Sequence, residues 1–442
     1  APYLEKIQNH YDGVWSAFWQ LPTLFHFFPT DTAIAILPLI GTLLALPLVA
    51  GYANFPLLLA LWLGQLSMQN AGQIFYGYGW ESQVLELTFL SFFLCPFWNP
   101  KLHRPEAPPK KIAILFQRWM LFRLMLGAGL IKIRGDECWR DLTCTFYHYE
   151  TQPNPHALSW YLHHLPDWLH KGEVLFNHFV ELIIPFALFG PKVLRRTAGV
   201  ITIIFQLSLI FSGNLSFLNW LTILMTVPCF DDAFLQRLLR PKKNLPKNRV
   251  KPGVPTVVGL SAFALFGIYH SINPALNLIS PRQRMNTSFS RFHFINSYGA
   301  FGSVTKRRKE IVIQGTQKEN PAPEDWKTYH FNCKPTALDE APCLITPYHY
   351  RLDWQIWFSA MRPRLQERWL ANLAYHLLLN TEEVVGLLEK NPFPDNPPRK
   401  IRMELYHYEF SDWDDDKWWV RSYIGPYMRP MTKQKLEKVL HQ

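Results

Sequence analysis

The stretch MLGAGLIKIRGDECWRDLTC, residues 125–144, decides the fold class. It begins as an apolar run with two glycines, then turns within a few residues to Lys132, Arg134, Asp136 and Glu137, and closes on Cys138 and Cys144. A buried core helix rarely ends in so dense a set of charges followed by thiols. A membrane span that meets water on one side does. The basic residues then sit where a helix C-terminus carries its partial negative charge, and the cysteines lie in the loop beyond.

Working outward, the same apolar character recurs. Candidate spans lie at about 32–52, 55–72, 84–98, 112–133, 174–190, 198–213, 217–230 and 256–272. A bilayer core asks for roughly 17–25 residues per helix, so the shorter runs are marginal alone. Eight such runs in one chain nevertheless point to a multi-pass protein of about eight spans. The mean hydropathy of -0.06 conceals this, because it averages an apolar first two thirds with a charged, Trp- and Tyr-rich final third.

The net charge of +11 is concentrated in short clusters between apolar runs, KLHRPEAPPKK, KVLRR and RPKKNLPKNRVK. Such placement reads as a topology signal and not as a nucleic-acid groove. It assigns 99–111, 191–197 and 231–255 to the cytoplasm, and therefore 134–173 and the chain after about 275 to the opposite side. Cys138, Cys144, Cys333 and Cys343 all fall on that opposite side, where oxidising compartments allow disulfides. Asn286-Thr287-Ser288 supplies a glycosylation acceptor there too. Neither an initiator Met nor a cleavable signal opens the chain, so a span preceding residue 1 stays open.

Three regions follow: an interfacial segment at 1–30, a polytopic membrane domain at 31–276 with a lumenal loop at 134–173, and a mixed α/β lumenal domain at 277–442. In the last, RKEIVIQG, KIRMELYHYEF and KWWVRSYI alternate as strands with one buried face. RPRLQERWLANLAYHLLLNTEEVVGLLEKNPF reads as two amphipathic helices ended by Pro. Trp354, Trp357, Trp418 and Trp419 read as strand aromatics in a core, or as an exposed patch for a client. No Walker loop or dinucleotide fingerprint occurs, so phosphate chemistry has no motif behind it.

The chemistry-bearing candidates are few. Lys132 either ends its helix or, if burial lowers its pKa, serves as a base. Glu86, His178 and Glu181 fall near the same depth. His178 and Glu181 are three apart and so share a helix face. Arg123 lies mid-span, with Gln206 as its expected partner. His163, His164 and His170 are dense but match no zinc or di-iron spacing, so no metal is expected. Cys138 and Cys144 are not a Cys-x-x-Cys pair, and they read better as a structural bridge than as a redox centre. Cys333 and Cys343 bracket KPTALDEAP in the same way.

Long phrases carry a family resemblance. They are GAGLIKIRGDECWRDLTCTFYHYETQPNPHALSWYLHHLPDWLHKGEVLFNHFVELIIPF (127–186), FSGNLSFLNWLT (211–222), CFDD (229–232), NSYGAFGSVTK (296–306), CLITPYHYRLDWQIWF (343–358) and KWWVRSYIGPY (417–427). Over nearly its whole length the sequence resembles the lipase maturation factor family. The resemblance implies an endoplasmic reticulum membrane protein of chaperone type, needed for secreted dimeric lipases such as lipoprotein lipase to fold and assemble. Secreted lipases and the bilayer are then its partners, with lumenal oxidoreductases or chaperones beside them, and neither cofactor nor nucleic acid is expected. AGLIKIRGDECW is also similar to the membrane domain of the vitamin K-dependent gamma-carboxylase superfamily, which implies the rival reading of a membrane enzyme using Lys132 as base. Transport is a third class, but the sequence shows no paired broken helices or symmetric repeats.

Overall fold

The structure is a computed structural model that describes residues 2–98, 109–239, 253–362 and 367–440. The basic segments at 99–108 and 240–252, on which much of the orientation argument rests, lie outside the described residues. The chain divides into two compact units, one of residues 1–137, 175–207 and 218–303, the other of 138–174, 208–217 and 304–442.

The first unit is helical. Its helices are α1 (Asp31–Val49), α2 (Phe55–Ala71), α3 (Gly79–Ser91) and α4 (Lys111–Arg134), joined further on by the end of α5 (Asp167–His178) and by α6 (Lys192–Ser212), α7 (Leu218–Met225) and α8 (Val254–Ile279). Local chemistry sets the starts. Thr30 accepts a hydrogen bond from the Ala33 amide at 3.1 Å, and Asn54 accepts one from Leu57 at 3.0 Å, so each caps donors the helix cannot satisfy itself. Among the described residues, four helices are long and apolar enough to cross a membrane: Asp31–Val49, Lys111–Arg134, Lys192–Ser212 and Thr256–Ile279. Their outward faces are apolar: Leu43 in α1 is 64% exposed and Leu265 in α8 is 69% exposed. Surfaces of this kind are stable against lipid and not against water.

The expected count of about eight spans is not reached on this criterion among the described residues. The remaining apolar runs are shorter helices. The run at 55–72 gives the 17 residues of α2, and the run at 84–98 lies in the 13-residue α3 only as far as Ser91, where that helix ends. The run at 174–190 is broken by a π-turn at Phe179–Ile183, and 217–230 is split into α7 and a 3-10 turn at Val227–Cys229. α3 is a core element of the unit, with Glu81, Gln83 and Glu86 all buried.

The unit closes with a small hairpin, β1 (Thr287–Ser288) against β2 (Asn296–Ser297). The second unit is built on a four-stranded antiparallel sheet in the order β4-β3-β5-β6, from β3 (Arg308–Thr316), β4 (Lys327–Thr328), β5 (Lys400–Phe410) and β6 (Trp419–Met431). Ile311 pairs with Leu405 and Ile313 with Met403. These side chains face α9 (Arg351–Ala360), α10 (Arg368–Leu379) and α11 (Lys433–Leu440) through Ile356, Leu370, Leu377 and Leu436. The alternation implied one buried face, yet β3 is buried on both. Its second face, with Val312 beside Tyr408, Phe410 and Trp419, is covered by Tyr149 and Trp160 from the 138–174 segment. A far-off segment supplies that cover, so the alternation could not reveal it. Trp354 and Trp357 lie on α9 and not on a strand, and α10 ends at Asn380 in a left-handed cap and not at a proline.

Candidate functional site

The glycines of the opening stretch explain how charge enters the first unit. A Cβ on Gly127 would lie 2.5 Å from the Tyr298 carbonyl oxygen, and one on Gly129 would lie 2.7 Å from Leu182 Cδ2 and 2.9 Å from Glu181 Cβ. Bare backbone at these positions lets α4 approach the 296–298 strand on one face and the π-turn on another. One turn on from Gly129, Lys132 is 5% exposed and reaches Glu181. Its Nζ donates to Glu181 Oε1 at 2.7 Å, to Oε2 at 2.8 Å and to Asn177 Oδ1 at 2.7 Å. Asn177 Nδ2 in turn donates to Glu181 Oε2 at 3.1 Å. An ammonium has three protons to donate, and these three oxygens are among its acceptors.

Lys132 therefore occupies the last turn of α4, but its charge is held inside the unit and not in water. Arg134 is the residue that ends the helix at the surface. It donates to the Leu278 carbonyl at 2.7 Å and to Gln283 at 2.9 Å. Glu181, three residues after His178, takes its amide partner from one residue earlier in the chain. The π-turn between them takes up an extra residue, and Asn177, four residues before Glu181, is the side chain brought onto its carboxylate, while His178 is half-buried beside it. Asn177 was missed in the sequence because an amide carries no charge signal.

Glu86 belongs to a second buried cluster. Its carboxylate is ion-paired with Arg123 and accepts from the Asn296 amide at 2.9 Å and the Tyr298 hydroxyl at 2.8 Å. Arg123 also donates to the Asn296 carbonyl, and its guanidinium lies 5.5 Å from the Trp119 ring centroid. The expected partner Gln206 instead accepts from Asn219 at 2.7 Å. Depth along a helix was legible in sequence, but azimuth was not, and the partner changed accordingly.

In the second unit, Cys138 and Cys144 stand at disulfide distance with Cα atoms 4.7 Å apart, as do Cys333 and Cys343 at 5.3 Å. Asp353 accepts from the amides of Cys333 and Lys334, both at 2.8 Å, so it pins the start of the second loop. Burial pushes the Asp353 carboxyl up to about 6, although those amides and Lys334 favour its ionised form. Below it runs a buried charge chain that the sequence did not suggest: Arg308 pairs with Glu310 at 2.5 Å, and Lys334 with Glu310 at 3.1 Å. Arg308 also donates to the carbonyls of Glu150 at 2.8 Å and Pro153 at 2.9 Å.

The histidines form local contacts. His170 lies 3.3 Å from Glu173 and 3.2 Å from the His163 carbonyl, and His164 donates to the Trp160 carbonyl at 2.7 Å. His163 lies 3.8 Å from Glu150. That spacing suits an ion pair, but burial pushes Glu150 up to about 7 and His163 down to about 4, so the neutral forms are the ones favoured on both sides. Asn286 is exposed, with a left-handed φ of 47°.

Both units have recognisable relatives. Residues 1–237 match the family model of the lipase maturation factor transmembrane domain, and residues 294–429 match that of the lipase maturation factor C-terminal domain. The chain belongs to the lipase maturation factor family. Lipase maturation factor 1 of Homo sapiens is 42% identical over 98% of this chain and 82% of its own length. The Mus musculus protein of the same name is 43% identical over 99% of the chain and 81% of its length. Lipase maturation factor 2 of Mus musculus is 28% identical over 97% and 78%. No solved structure gives a significant match. Within this lipase maturation factor family member, the Lys132 and Glu86 clusters both lie in the first unit and draw partners from 175–207 or 218–303. The transmembrane-domain match and the apolar helices together make it a membrane protein.

Proposed function

We propose that this chain is a multi-pass endoplasmic reticulum membrane factor that assists the folding and dimer assembly of secreted lipases of the lipoprotein lipase class. One observation carries the reading: similarity to proteins named lipase maturation factor 1, at 42–43% identity, runs through 98–99% of the chain and so through both units. In this reading α2, α3, the broken 167–187 segment and α7 add spans to the four long helices, bringing the count to about eight. Segments 134–173 and 277–442 face the lumen, where the two cysteine pairs form structural bridges and Asn286 accepts a glycan. The basic clusters support that orientation, and the exposure of Asn286 is consistent with it.

The buried clusters favour a structural role over catalysis. Lys132 lies within hydrogen-bond distance of a carboxylate and an amide, the arrangement of a buried structural ion pair. A base at this position would instead have to lose its proton.

The test is secretion of active lipoprotein lipase from cells lacking the protein, with and without this chain restored. Recovery of dimeric, active lipase in the medium is expected; unchanged secretion would refute the assignment. Cysteine labelling at position 245 in sealed microsomes checks the orientation, and shielding from cytoplasmic reagent would reverse it.

A further inference from the structure

α4 and α8 run parallel. Trp119 Nε1 donates to Ser271 at 3.0 Å, Gln283 donates to the Gly127 carbonyl at 2.8 Å, and the Phe116 ring fills the space a Gly267 side chain would need. Between the N-terminal ends of the two helices lies an open groove of about 330 Å³, lined by Lys110, Lys111 and Ile112 on one side and by Val257, Leu260, Ser261 and Ala264 on the other. Among the described residues of its lining, Lys110 and Lys111 are the charged groups and no carboxylate accompanies them. Among the described residues neither ammonium is held in an ion pair, and Ser261 is exposed with its hydroxyl in no hydrogen bond.

We propose that this groove binds one anionic phospholipid from the surrounding leaflet. Both helices are spans, so the groove opens toward lipid, and an apolar slot there is filled by a lipid and not left to water. The phosphate lies at Lys110, Lys111 and Ser261, and the glycerol and first methylenes lie against Val257, Leu260 and Ala264. Basic pockets between transmembrane helices on the side rich in Lys and Arg take anionic headgroups for the same electrostatic reason. Both helices also begin directly after basic stretches of sequence, KLHRPEAPPKK and RPKKNLPKNRVK. The inference rests on the membrane reading of α4 and α8 and is independent of any lipase.

Native mass spectrometry of the full purified chain, titrated with phosphatidylinositol or phosphatidylcholine, tests it. One phosphatidylinositol is expected to be retained in preference to phosphatidylcholine by roughly tenfold or more, since each lysine near a lipid surface is worth roughly fivefold. Lys110→Gln with Lys111→Gln should bring the two lipids near parity. Ser261→Phe, at an exposed position, should fill the slot and do the same without changing charge, with Ala264→Phe as a second filler should the first impair folding. Lys192→Gln, outside the groove, should behave as wild type. No preference in wild type, or preference surviving the lysine change, would overturn the site. Preference lost with the lysines but kept with both fillers would mean a diffuse surface attraction, and would equally refute the groove.

Discussion

Lys132 and Glu181 meet through both carboxylate oxygens, with Nζ 2.7 Å from Oε1 and 2.8 Å from Oε2, inside a unit that spans the membrane. Taking one partner away leaves the other charge buried and unmatched. Lys132→Ala should therefore cost about 3–5 kcal/mol, well above the roughly 0.3–1 kcal/mol of an exposed helix-terminal lysine. Replacing both partners by Met should recover much of that loss, because a well-packed apolar pair avoids the desolvation penalty. Cellular abundance and detergent-phase melting measure the stability, and lipase secretion measures function. A double variant restored in both would confirm a structural pair. One restored in abundance but silent in secretion would point to chemistry at Lys132.

The close approach of α4 to the 296–303 segment predicts unequal glycines. A Cβ on Gly135 would sit 2.0 Å from the Gly302 carbonyl oxygen, a backbone atom that cannot step aside. Gly135→Ala should destabilise by about 1–3 kcal/mol. Gly172, within α5, has nothing within 4 Å of the same position. There Gly→Ala should stabilise by about 0.5–1 kcal/mol through helix propensity alone. Melting temperatures of the two variants should move in opposite directions.

Glu150 and His163 make a pH prediction with opposite signs. The carboxyl, raised from 4.5 to about 7, stabilises the fold fully below 4.5 and loses that contribution as pH rises toward 7. The imidazole, lowered from 6.5 to about 4, stabilises above 6.5 and loses its contribution as pH falls toward 4. Between these limits the folded chain holds one proton on Glu150 while the unfolded chain holds it on His163, so the slopes cancel. Glu150→Gln should expose the histidine, with stability falling as pH drops from 6.5 to 4.5. His163→Gln should expose the carboxyl, with stability falling as pH rises over the same window. Each slope is at most about 1.4 kcal/mol per pH unit. Amide exchange at Phe410, whose N–H donates to Glu150, reports it after correction for intrinsic rates. Parallel profiles for both variants and wild type would refute the proton exchange.

Peptide mapping under non-reducing conditions should return Cys138 linked to Cys144 and Cys333 linked to Cys343. These bridges close loops of 6 and 10 residues in sequence separation, each worth about 2–3 kcal/mol by chain entropy. Asp353→Ala removes the acceptor that orders the second loop, and it should raise the reducibility of Cys333–Cys343 without affecting Cys138–Cys144. Equal sensitivity of both bridges would contradict that dependence.

The apolar run at 112–133 located α4 within a residue or two, and the alternation of RKEIVIQG and KIRMELYHYEF located β3 and β5. These signals are local, and burial of one face writes them directly into residue order. The candidate site was half legible. Lys132 and Glu181 stood out as intramembrane charges and do meet. Arg123 also stood out, but its partner is Glu86, because the rotation of one helix about another is not encoded at the level of depth. Asn177, Asn296 and Tyr298 gave no signal at all. Their roles arise from a π-turn and a two-residue strand, both too short to leave a period in the sequence.

No residue of α1 is buried, although its 19 residues are the most apolar of the four long helices. Much of its side-chain surface is exposed, and against lipid Leu, Ile, Val and Ala are close to interchangeable. Its sequence is therefore constrained in composition and hardly in identity. Scrambling its apolar residues, with Thr30 and the two prolines kept, should pass unnoticed by the rest of the protein, while a permutation as mild within α4 would not. Divergence between relatives ought to accumulate in α1 as neutral drift among oils, and the helix could be exchanged for an unrelated anchor.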